Sequence, residues 1–181
     1  MSGFSIDAGG FGWIMGTPDE PGDRCLHGHA AARIGAETLE YDCTVSAAAL
    51  YLLKTLTEDH VMGEDNQLLP CCGFFLVADR DCENVGIIGC DSGADWSVYH
   101  EGDIVRLVTP SGAETRVPIA DYAREVCRFA DEVAAFYARC TPKTEPEDDF
   151  DRRGWLAFRR EWRRRRSEAA REYGFGTEAG I

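Results

Sequence analysis

The feature that most constrains the fold of this chain is a pair of alternating segments between residues 25 and 45. Apolar or small residues occupy every second position from Leu26 to Ile34, and apolar residues do so again from Leu39 to Val45. A period of two is typical of strands that bury one face. Gly35-Ala36 separates the segments and suits a two-residue turn with glycine first. The pattern therefore predicts an antiparallel hairpin with one apolar face.

The turn also predicts the register of this hairpin. On its polar side His29 faces Asp42, and His27 faces Thr44. A slip of one residue would place apolar side chains opposite polar ones, so the buried face specifies this pairing.

Two helices and a run of short strands follow the hairpin. Apolar spacing predicts helices at 46–58, with Ser46 as N-cap, and at 120–139. Five strands are predicted between them, at Phe74–Ala78, Val85–Gly89, Trp96–His100, Ile104–Thr109 and Glu114–Ile119. The first two of these are apolar on both faces, which is typical of central strands. The short links between the five strands favour antiparallel pairing. Near the start of the chain only a short strand, at 12–15, is indicated.

The C-terminal part is predicted to be helical. Residues 141–149 hold two prolines and four acids, as a hinge would, and a last helix is predicted over 150–173. Trp155, Phe158 and Trp162 would dock this helix. We therefore expect one α+β domain with a largely antiparallel sheet of about six or seven strands, two packed helices and a C-terminal basic helix. Its parts would be an acidic α+β domain at 1–149, a basic helical arm at 150–173 and a frayed tail at 174–181.

Charge divides the chain unevenly. The net charge is −13, from 19 basic and 32 acidic residues. Residues 1–151 hold 28 acids against 10 bases, and residues 152–181 hold 4 acids against 9 bases. A body this acidic makes nucleic acid an unlikely main partner and favours a basic protein instead.

The basic residues near the C-terminus are a candidate binding group. Six arginines of the last helix are predicted to point mostly outward: Arg159, Arg160 and Arg163–Arg166. Four of them, Arg159, Arg160, Arg163 and Arg164, are our candidates for clamping a phosphate or a nucleic acid. The alternatives are that the basic helix docks on the acidic body or is simply solvated.

The polar face of the hairpin is a second candidate site. Cys25, His27 and His29 alternate along one strand, and Asp42 faces His29 with Glu40 nearby. Two imidazoles and a carboxylate suit zinc or another divalent metal, so His27, His29 and Asp42 are the predicted ligands. Alternatively, Asp42 orients His29 as a general base. The face can also be solvated without any function.

Eight cysteines are present, and no pair has the CxxC spacing of zinc sites. We expect most of them to be reduced thiols. Cys90, in the turn 89–96, is a candidate nucleophile with His100 as its base, although Asp91 and Asp95 would raise the pKa of its thiol. His60 is expected to be solvated in a loop.

These observations lead to three hypotheses about function, one of which is a nucleic-acid-associated protein that uses the arginines of the last helix. The first basic residue is Arg24 and the longest apolar run covers the seven residues 47–53, so we expect neither a secretory signal nor a membrane span. The favoured hypothesis is a small acidic cytoplasmic protein, not an enzyme and without a cofactor, that engages or neutralises a basic protein partner. The alternative is a metal-dependent or acid–base enzyme that uses the polar face of the hairpin at 25–45.

Overall fold

The computed structural model describes residues 3–14, 19–64, 66–176 and 181. About 33% of the chain is helix and 32% is strand, which confirms the predicted α+β class. The helices are α1 (Val45–Lys54), α2 (Ile119–Arg139) and α3 (Asp149–Tyr173). The strands are β1 (Phe4–Trp13), β2 (Leu26–Ile34), β3 (Glu37–Cys43), β4 (Leu69–Pro70), β5 (Phe75–Ala78), β6 (Val85–Ile88), β7 (Gly93–Ala94), β8 (Ser97–Glu101), β9 (Ile104–Val108) and β10 (Glu114–Pro118).

The hairpin β2–β3 forms in the register that the sequence predicts. His29 lies opposite Asp42, and Gly35 has a φ of 60° at the first position of the turn. β1 pairs with the other edge of β2, and a bulge interrupts this pairing between Gly9 and Gly12. The strand β1 is much longer than the one indicated at 12–15, of which residue 15 lies outside the described residues. Glycines in β1 obscure the alternation that would have revealed its length.

The remaining strands form several small antiparallel sheets, so the expected single sheet of six or seven strands is wrong. β8, β9 and β10 form one three-stranded sheet, while β4–β7 and β5–β6 are two-stranded. In the described part of the chain, β5 and β6 pair only with each other. They are therefore not the central strands that their apolar sequences suggested.

One continuous core joins the sheet β1–β3, the sheet β8–β10 and the three helices, with α1 and α2 packed on β1 and β2. The predicted helix at 120–139 is confirmed as α2, whose buried stripe includes Tyr122, Phe129 and Val133. α1 ends at Lys54, earlier than predicted. Its N-cap is Thr44 and not Ser46, which is buried inside the first turn.

Helix α3 packs into the domain rather than standing apart from it. Trp155, Phe158 and Trp162 are buried as predicted. Gly154 lets the helix backbone approach β5 closely, because a Cβ there would overlap the carbonyl oxygen of Leu76. Residues 177–180 of the predicted frayed tail lie outside the described residues. No helix in the described ranges is long and apolar enough to cross a membrane.

The expected outward orientation of Arg165 and Arg166 is wrong, since both side chains are buried. Arg165 donates to Glu161 at 2.8 Å and also bonds Glu58. Arg166 forms a two-point ion pair with Asp131. A buried cation is tolerated when a carboxylate compensates its charge, and both arginines meet this condition.

Candidate interaction surface

The outward face of the hairpin β5–β6 is apolar and exposed to solvent. Phe75 lies opposite Ile88, and these residues are 54% and 57% exposed. Their neighbours Leu76 and Ile87 are buried on the inner face. An antiparallel sheet that packs one face on a core usually carries polar residues on the other face. This hairpin instead presents large apolar side chains on both faces.

Phe150 extends this apolar face from the first turn of α3. Its ring lies 5.5 Å from the ring of Phe75 between centroids, and the residue is 46% exposed. The helix begins here because the Asp148 side chain accepts hydrogen bonds from the backbone N–H groups of Phe150 and Asp151. We refer to Phe75, Ile88 and Phe150 as the apolar patch. Contiguous exposed apolar residues mark interaction sites more often than scattered ones do.

Acidic residues flank Phe150 along the chain, in the segment that leads into α3 and in its first turn. Five exposed carboxylates stand in residues 145–151, namely Glu145, Glu147, Asp148, Asp149 and Asp151. Two arginines follow them in the helix. Arg152 pairs with Asp149, and Arg153 donates to the backbone carbonyl oxygens of Asp79 and Arg80. Five carboxylates against two guanidinium groups leave this segment negative.

Both edges of the hairpin β5–β6 are covered by other elements. On the β6 edge, Lys54 donates to the carbonyl oxygen of Val85 at 2.9 Å. Tyr51 donates to that of Ile87 at 3.1 Å, and Glu161 accepts the N–H of Val85 at 2.8 Å. Helix α3 packs along β5. Because covered edges cannot pair with an added strand, the face of the hairpin is its accessible surface.

The predicted metal ligands His27, His29 and Asp42 divide between two sets of contacts. His29 Nδ1 lies 2.9 Å from Asp42 Oδ1. His27 Nε2 lies 3.3 Å from Thr44 Oγ1 and 3.4 Å from Cys25 Sγ. Among the residues that the structure describes, no group of three or more His, Cys, Asp or Glu side chains could hold a metal ion.

The same three residues line a shallow groove of about 450 Å³ together with Trp13 and Ile14. The groove lies beside the bulge in β1. A hydrogen bond to Asp42 raises the pKa of His29, whereas burial lowers the pKa of His27. Two histidines on one strand therefore favour opposite charge states, and only His29 is placed to exchange a proton with Asp42 beside it.

The arginines predicted to bind a ligand all contact other parts of this chain. They are Arg159, Arg160, Arg163 and Arg164. Arg159 and Arg163 both donate to the carbonyl oxygen of Ile181, at 3.1 and 3.2 Å. Arg160 pairs with Glu83 at 3.1 Å, and Arg164 donates to Asn84 at 2.6 Å. Each of the four side chains therefore has a partner within the chain, and their role in binding a ligand stays a prediction.

The Cys90 thiol differs from its sequence-based prediction. Asp91 and Asp95 were expected to raise its pKa. Instead, hydrogen bonds from the Cys72 thiol and from the backbone N–H of Ser92 lower the pKa of Cys90. The direction is reversed because these donors stabilise the thiolate directly.

Two histidines also differ from expectation. His60 is buried and not solvated, and its Nε2 lies 2.8 Å from Asp95 Oδ1. His100 was a candidate base for Cys90, but its Nδ1 lies 2.7 Å from Asp59 Oδ1. Both imidazoles are thus held by carboxylates from neighbouring loops.

The apolar patch could not be predicted from the sequence, although one signal for it was present. The segments at 74–78 and 85–89 are apolar on both faces, and this property was attributed to central strands. The contact with Phe150 joins residues 75 positions apart and has no local signature.

Compared with known protein families, curated proteins and solved structures, the chain has no match.

Proposed function

We propose that this chain is an acidic binding protein, not an enzyme, and that its apolar patch receives a cationic amphipathic segment of a basic protein. The observation that carries this proposal is the exposure of Phe75 and Ile88 on a two-stranded sheet. Each of these side chains would gain free energy by burial against a partner, on the order of 25 cal/mol per Å² of apolar area. In the isolated chain both side chains stay exposed, so folding does not gain this free energy.

Charge supports a basic partner over a neutral one. The five carboxylates at 145–151 lie within five positions of Phe150 in the chain, and the whole chain carries a net charge of −13. Such a field raises the association rate of a cationic partner and disfavours acidic ones. The partner segment should therefore place apolar side chains on the patch and Lys or Arg beside them.

The covered edges of β5–β6 also limit how a partner can bind. An extended segment cannot add itself as a third strand, because side chains from α1 and a packed α3 occupy both edges. A helix that lies across the face needs no free backbone groups, since its own hydrogen bonds are internal. An amphipathic helix is thus the form of partner that we propose.

We also propose a cytoplasmic location. The eight cysteines are free thiols, and a reducing compartment would maintain them. Labelling of these thiols in intact cells, before and after reduction of the extract, would test this part of the proposal. Extensive disulfide formation in the cell would contradict it.

The binding proposal is tested with a synthetic amphipathic helix that carries leucines on one face and lysines on the other. A permuted peptide of the same composition and a peptide with glutamate in place of lysine serve as reference ligands. We expect the first peptide to bind most tightly and its affinity to fall as salt is added. Equal binding of the permuted peptide would contradict the proposal.

Variants of the protein then locate the binding site. Replacement of Phe75 and Ile88 by threonine keeps the β propensity of both strands and should weaken binding roughly tenfold. Ile104→Thr is the matched control, because Ile104 is 38% exposed on β9 in a different sheet. It should leave the affinity unchanged. If the double variant binds as the wild type does, the patch is not the site.

The acidic segment at 145–151 is tested separately. Replacement of Glu145 and Glu147 by glutamine should weaken peptide binding about two- to threefold at low salt and have no effect at high salt. The control replaces Glu168 and Glu172, which lie near the other end of α3, roughly 30 Å from the patch at 1.5 Å per residue. Equal effects of the two pairs would show attraction by net charge alone and contradict a local effect of this segment.

A second copy of the chain is the competing occupant of the apolar patch. Light scattering of the protein alone distinguishes the two possibilities. A concentration-dependent dimer that the Phe75→Thr/Ile88→Thr variant abolishes would overturn the proposal in favour of self-association. A monomer at all concentrations supports a separate partner.

A second candidate function is acid–base or metal chemistry in the groove beside β1, and the His29–Asp42 pair favours it. Metal analysis of the purified protein tests the metal-dependent form. Stoichiometric zinc that is lost in the His27→Ala/His29→Ala variant would favour this function over the first. Absence of bound metal in protein purified without chelators would leave only the acid–base form.

A further inference from the structure

The two-stranded sheets β4–β7 and β5–β6 belong to one long antiparallel pairing that is interrupted in the middle. Leu69 pairs with Ala94 in the first, and Phe75 pairs with Ile88 in the second. Leu69 and Phe75 are six positions apart on one side, and Ile88 and Ala94 are six positions apart on the other. Both sheets therefore keep the same register. The interruption lies between Pro70 and Phe75 on one side, and between Ile88 and Gly93 on the other.

Two thiols meet inside this interruption. The backbone N–H of Cys90 donates to the Cys72 sulfur, with 3.0 Å between nitrogen and sulfur. Gly89 lies so close to Cys72 that a Cβ on Gly89 would overlap the Cys72 carbonyl oxygen and approach its sulfur to 3.8 Å. The Cys72 sulfur therefore accepts a backbone N–H that a backbone carbonyl oxygen would accept in a regular antiparallel pairing. The side chains of Cys72 and Cys90 are also in hydrogen-bond contact with each other.

The adjacent Cys71 is held differently. Its backbone N–H donates to the Ser92 carbonyl oxygen at 2.9 Å, which continues the ladder from β4. Its thiol contacts the Tyr41 hydroxyl and also forms a hydrogen bond with the Cys90 thiol, but this bond lowers the pKa of Cys90 less than the bond from Cys72 does. Cys72 is the stronger partner because its sulfur also accepts the backbone N–H of Cys90.

Exposure distinguishes Cys90 from the other cysteines. It is the exposed cysteine of the described residues, while Cys25, Cys43, Cys82 and Cys127 are buried. Burial raises the pKa values of Cys25 and Cys43 to about 12 and suppresses their thiolates. The thiolate is the reactive form of cysteine, and it needs access to its oxidant. The hydrogen bond between the two thiols lowers the pKa of Cys90 and raises that of Cys72, so Cys90 is the thiol of the pair that ionises first.

We infer that Cys90 is a peroxide-reactive thiol and that Cys72 resolves its oxidised form as an intramolecular disulfide. The Cys90 thiolate attacks one oxygen of hydrogen peroxide, the O–O bond breaks, and Cys90 becomes a sulfenic acid while hydroxide leaves. Cys72 then loses its proton and attacks the Cys90 sulfur. The S–S bond forms, the S–O bond breaks, and the departing hydroxide and the protons yield water. One peroxide thus oxidises two thiols and gives two waters, and a dithiol reductant reverses the change.

This modification site does not rest on the proposed binding function. The disulfide would join the two strands at the point where their ladder is interrupted, just beyond the pair Phe75 and Ile88. A covalent link across a strand pair restricts local opening. We therefore expect slower amide hydrogen exchange in β5 and β6 after oxidation, with little change in β2 and β3.

The test oxidises the full chain with hydrogen peroxide and counts free thiols by alkylation and intact mass. The wild type should lose two thiols and two hydrogens, with peptide mapping to Cys72 and Cys90, and dithiothreitol should restore both. The Cys72→Ser variant should instead accumulate a Cys90 sulfenic acid that dimedone captures. Cys90→Ser should retain the Cys72 thiol. Cys71→Ser is the matched control and should behave as the wild type does.

Three results would overturn the inference. One is a disulfide that maps to Cys71 and Cys90. Another is a Cys72→Ser variant that still loses two thiols within one chain. The third is oxidation of Cys90 no faster than that of Cys140, a partly exposed thiol whose pKa is raised by burial. Far-UV circular dichroism of each variant before oxidation separates these results from misfolding.

Discussion

The hairpins β2–β3 and β5–β6 are both antiparallel, but different parts of the chain hold them in place. β2–β3 has a two-residue turn, a neighbouring strand β1, and an outer face that includes His29 and Asp42. β5–β6 has no neighbouring strand in the described chain and exposes Phe75 and Ile88. Its backbone is bonded instead by side chains 31 and 76 residues away, from α1 and α3.

The comparison distinguishes side chains whose positions the fold explains from exposed apolar side chains that it does not explain. In β2–β3 each side chain has a position that burial or solvation explains. In β5–β6 the inner face and both edges are used by the fold, while the apolar outer face contacts Phe150 through Phe75 and otherwise stays exposed. We therefore assign binding to the exposed outer face of β5–β6, because folding does not account for its apolar side chains. If β5–β6 depends on α3 and β2–β3 does not, changes in α3 should open β5–β6 before β2–β3.

The largest effect is expected for Glu161→Ala. Glu161 is 1% exposed and accepts hydrogen bonds from the Val85 N–H and from Arg165, with Lys54 at 3.5 Å. Its removal leaves two cations and a backbone N–H without their buried carboxylate. We predict a loss of about 3 kcal/mol in the free energy of unfolding. Urea denaturation measures this loss.

Glu168→Ala is the control for this change. Glu168 is on the same helix and pairs with Arg164 at 3.7 Å on the surface, and its removal should cost about 0.5 kcal/mol or less. Native-state hydrogen exchange should show that Glu161→Ala opens β5–β6 at lower free energy than β2–β3. Equal destabilisation of both hairpins by local opening would contradict the comparison.

A somewhat smaller effect is expected for Gly154→Ala. Alanine favours helix over glycine, but its Cβ would overlap the Leu76 carbonyl oxygen. The helix must move away from β5, which we predict costs about 2 kcal/mol and separates Phe150 from Phe75. Ser167→Ala, at an exposed position of α3, should stay within about 0.5 kcal/mol of the wild type. A Gly154→Ala variant as stable as the wild type would disprove close packing at this point.

The same contrast explains what could be predicted from sequence. The register of β2–β3 followed from alternation and from Gly35-Ala36, since both signals act within 20 residues. The helix at 120–139 followed from its apolar stripe, and α3 from Trp155, Phe158 and Trp162. Local periodicity was sufficient wherever one face of an element is buried and the other is solvated.

Elsewhere the deciding contacts are remote in sequence. The number of sheets could not be predicted, because closely spaced strands are compatible with one sheet or with several. Burial of Arg165 and Arg166 depends on carboxylates from the loop after α1 and from α2, which a polar sequence pattern cannot indicate. The apolar patch and the meeting of Cys72 with Cys90 likewise required the folded arrangement of β4 to β7.

The turn of β2–β3 gives the next prediction. Gly35 has a φ of 60°, and a Cβ there would lie 2.6 Å from the Thr115 hydroxyl. We predict that Gly35→Ala lowers the free energy of unfolding by about 1 to 2 kcal/mol. Gly102→Ala is the control, since Gly102 has a φ of 69° and no atoms near a new Cβ. It should cost less than Gly35→Ala in thermal or urea unfolding, and an equal cost would show that the Thr115 contact is unimportant.

The smallest effect concerns the two histidines on β2. Asp42 raises the pKa of His29 above its ordinary 6.5, so this pair stabilises the fold below pH 6.5 and the contribution is lost as pH rises through the higher folded pKa. Burial lowers the pKa of His27, so its protonation below pH 6.5 opposes folding. NMR titration should place the two imidazoles on opposite sides of 6.5. Asp42→Asn should lower the pKa of His29 and leave that of His27 in place, because His27 responds to burial and not to Asp42. A shift of both histidines together would mean that the polar face titrates as one network and that its two ends are not independent.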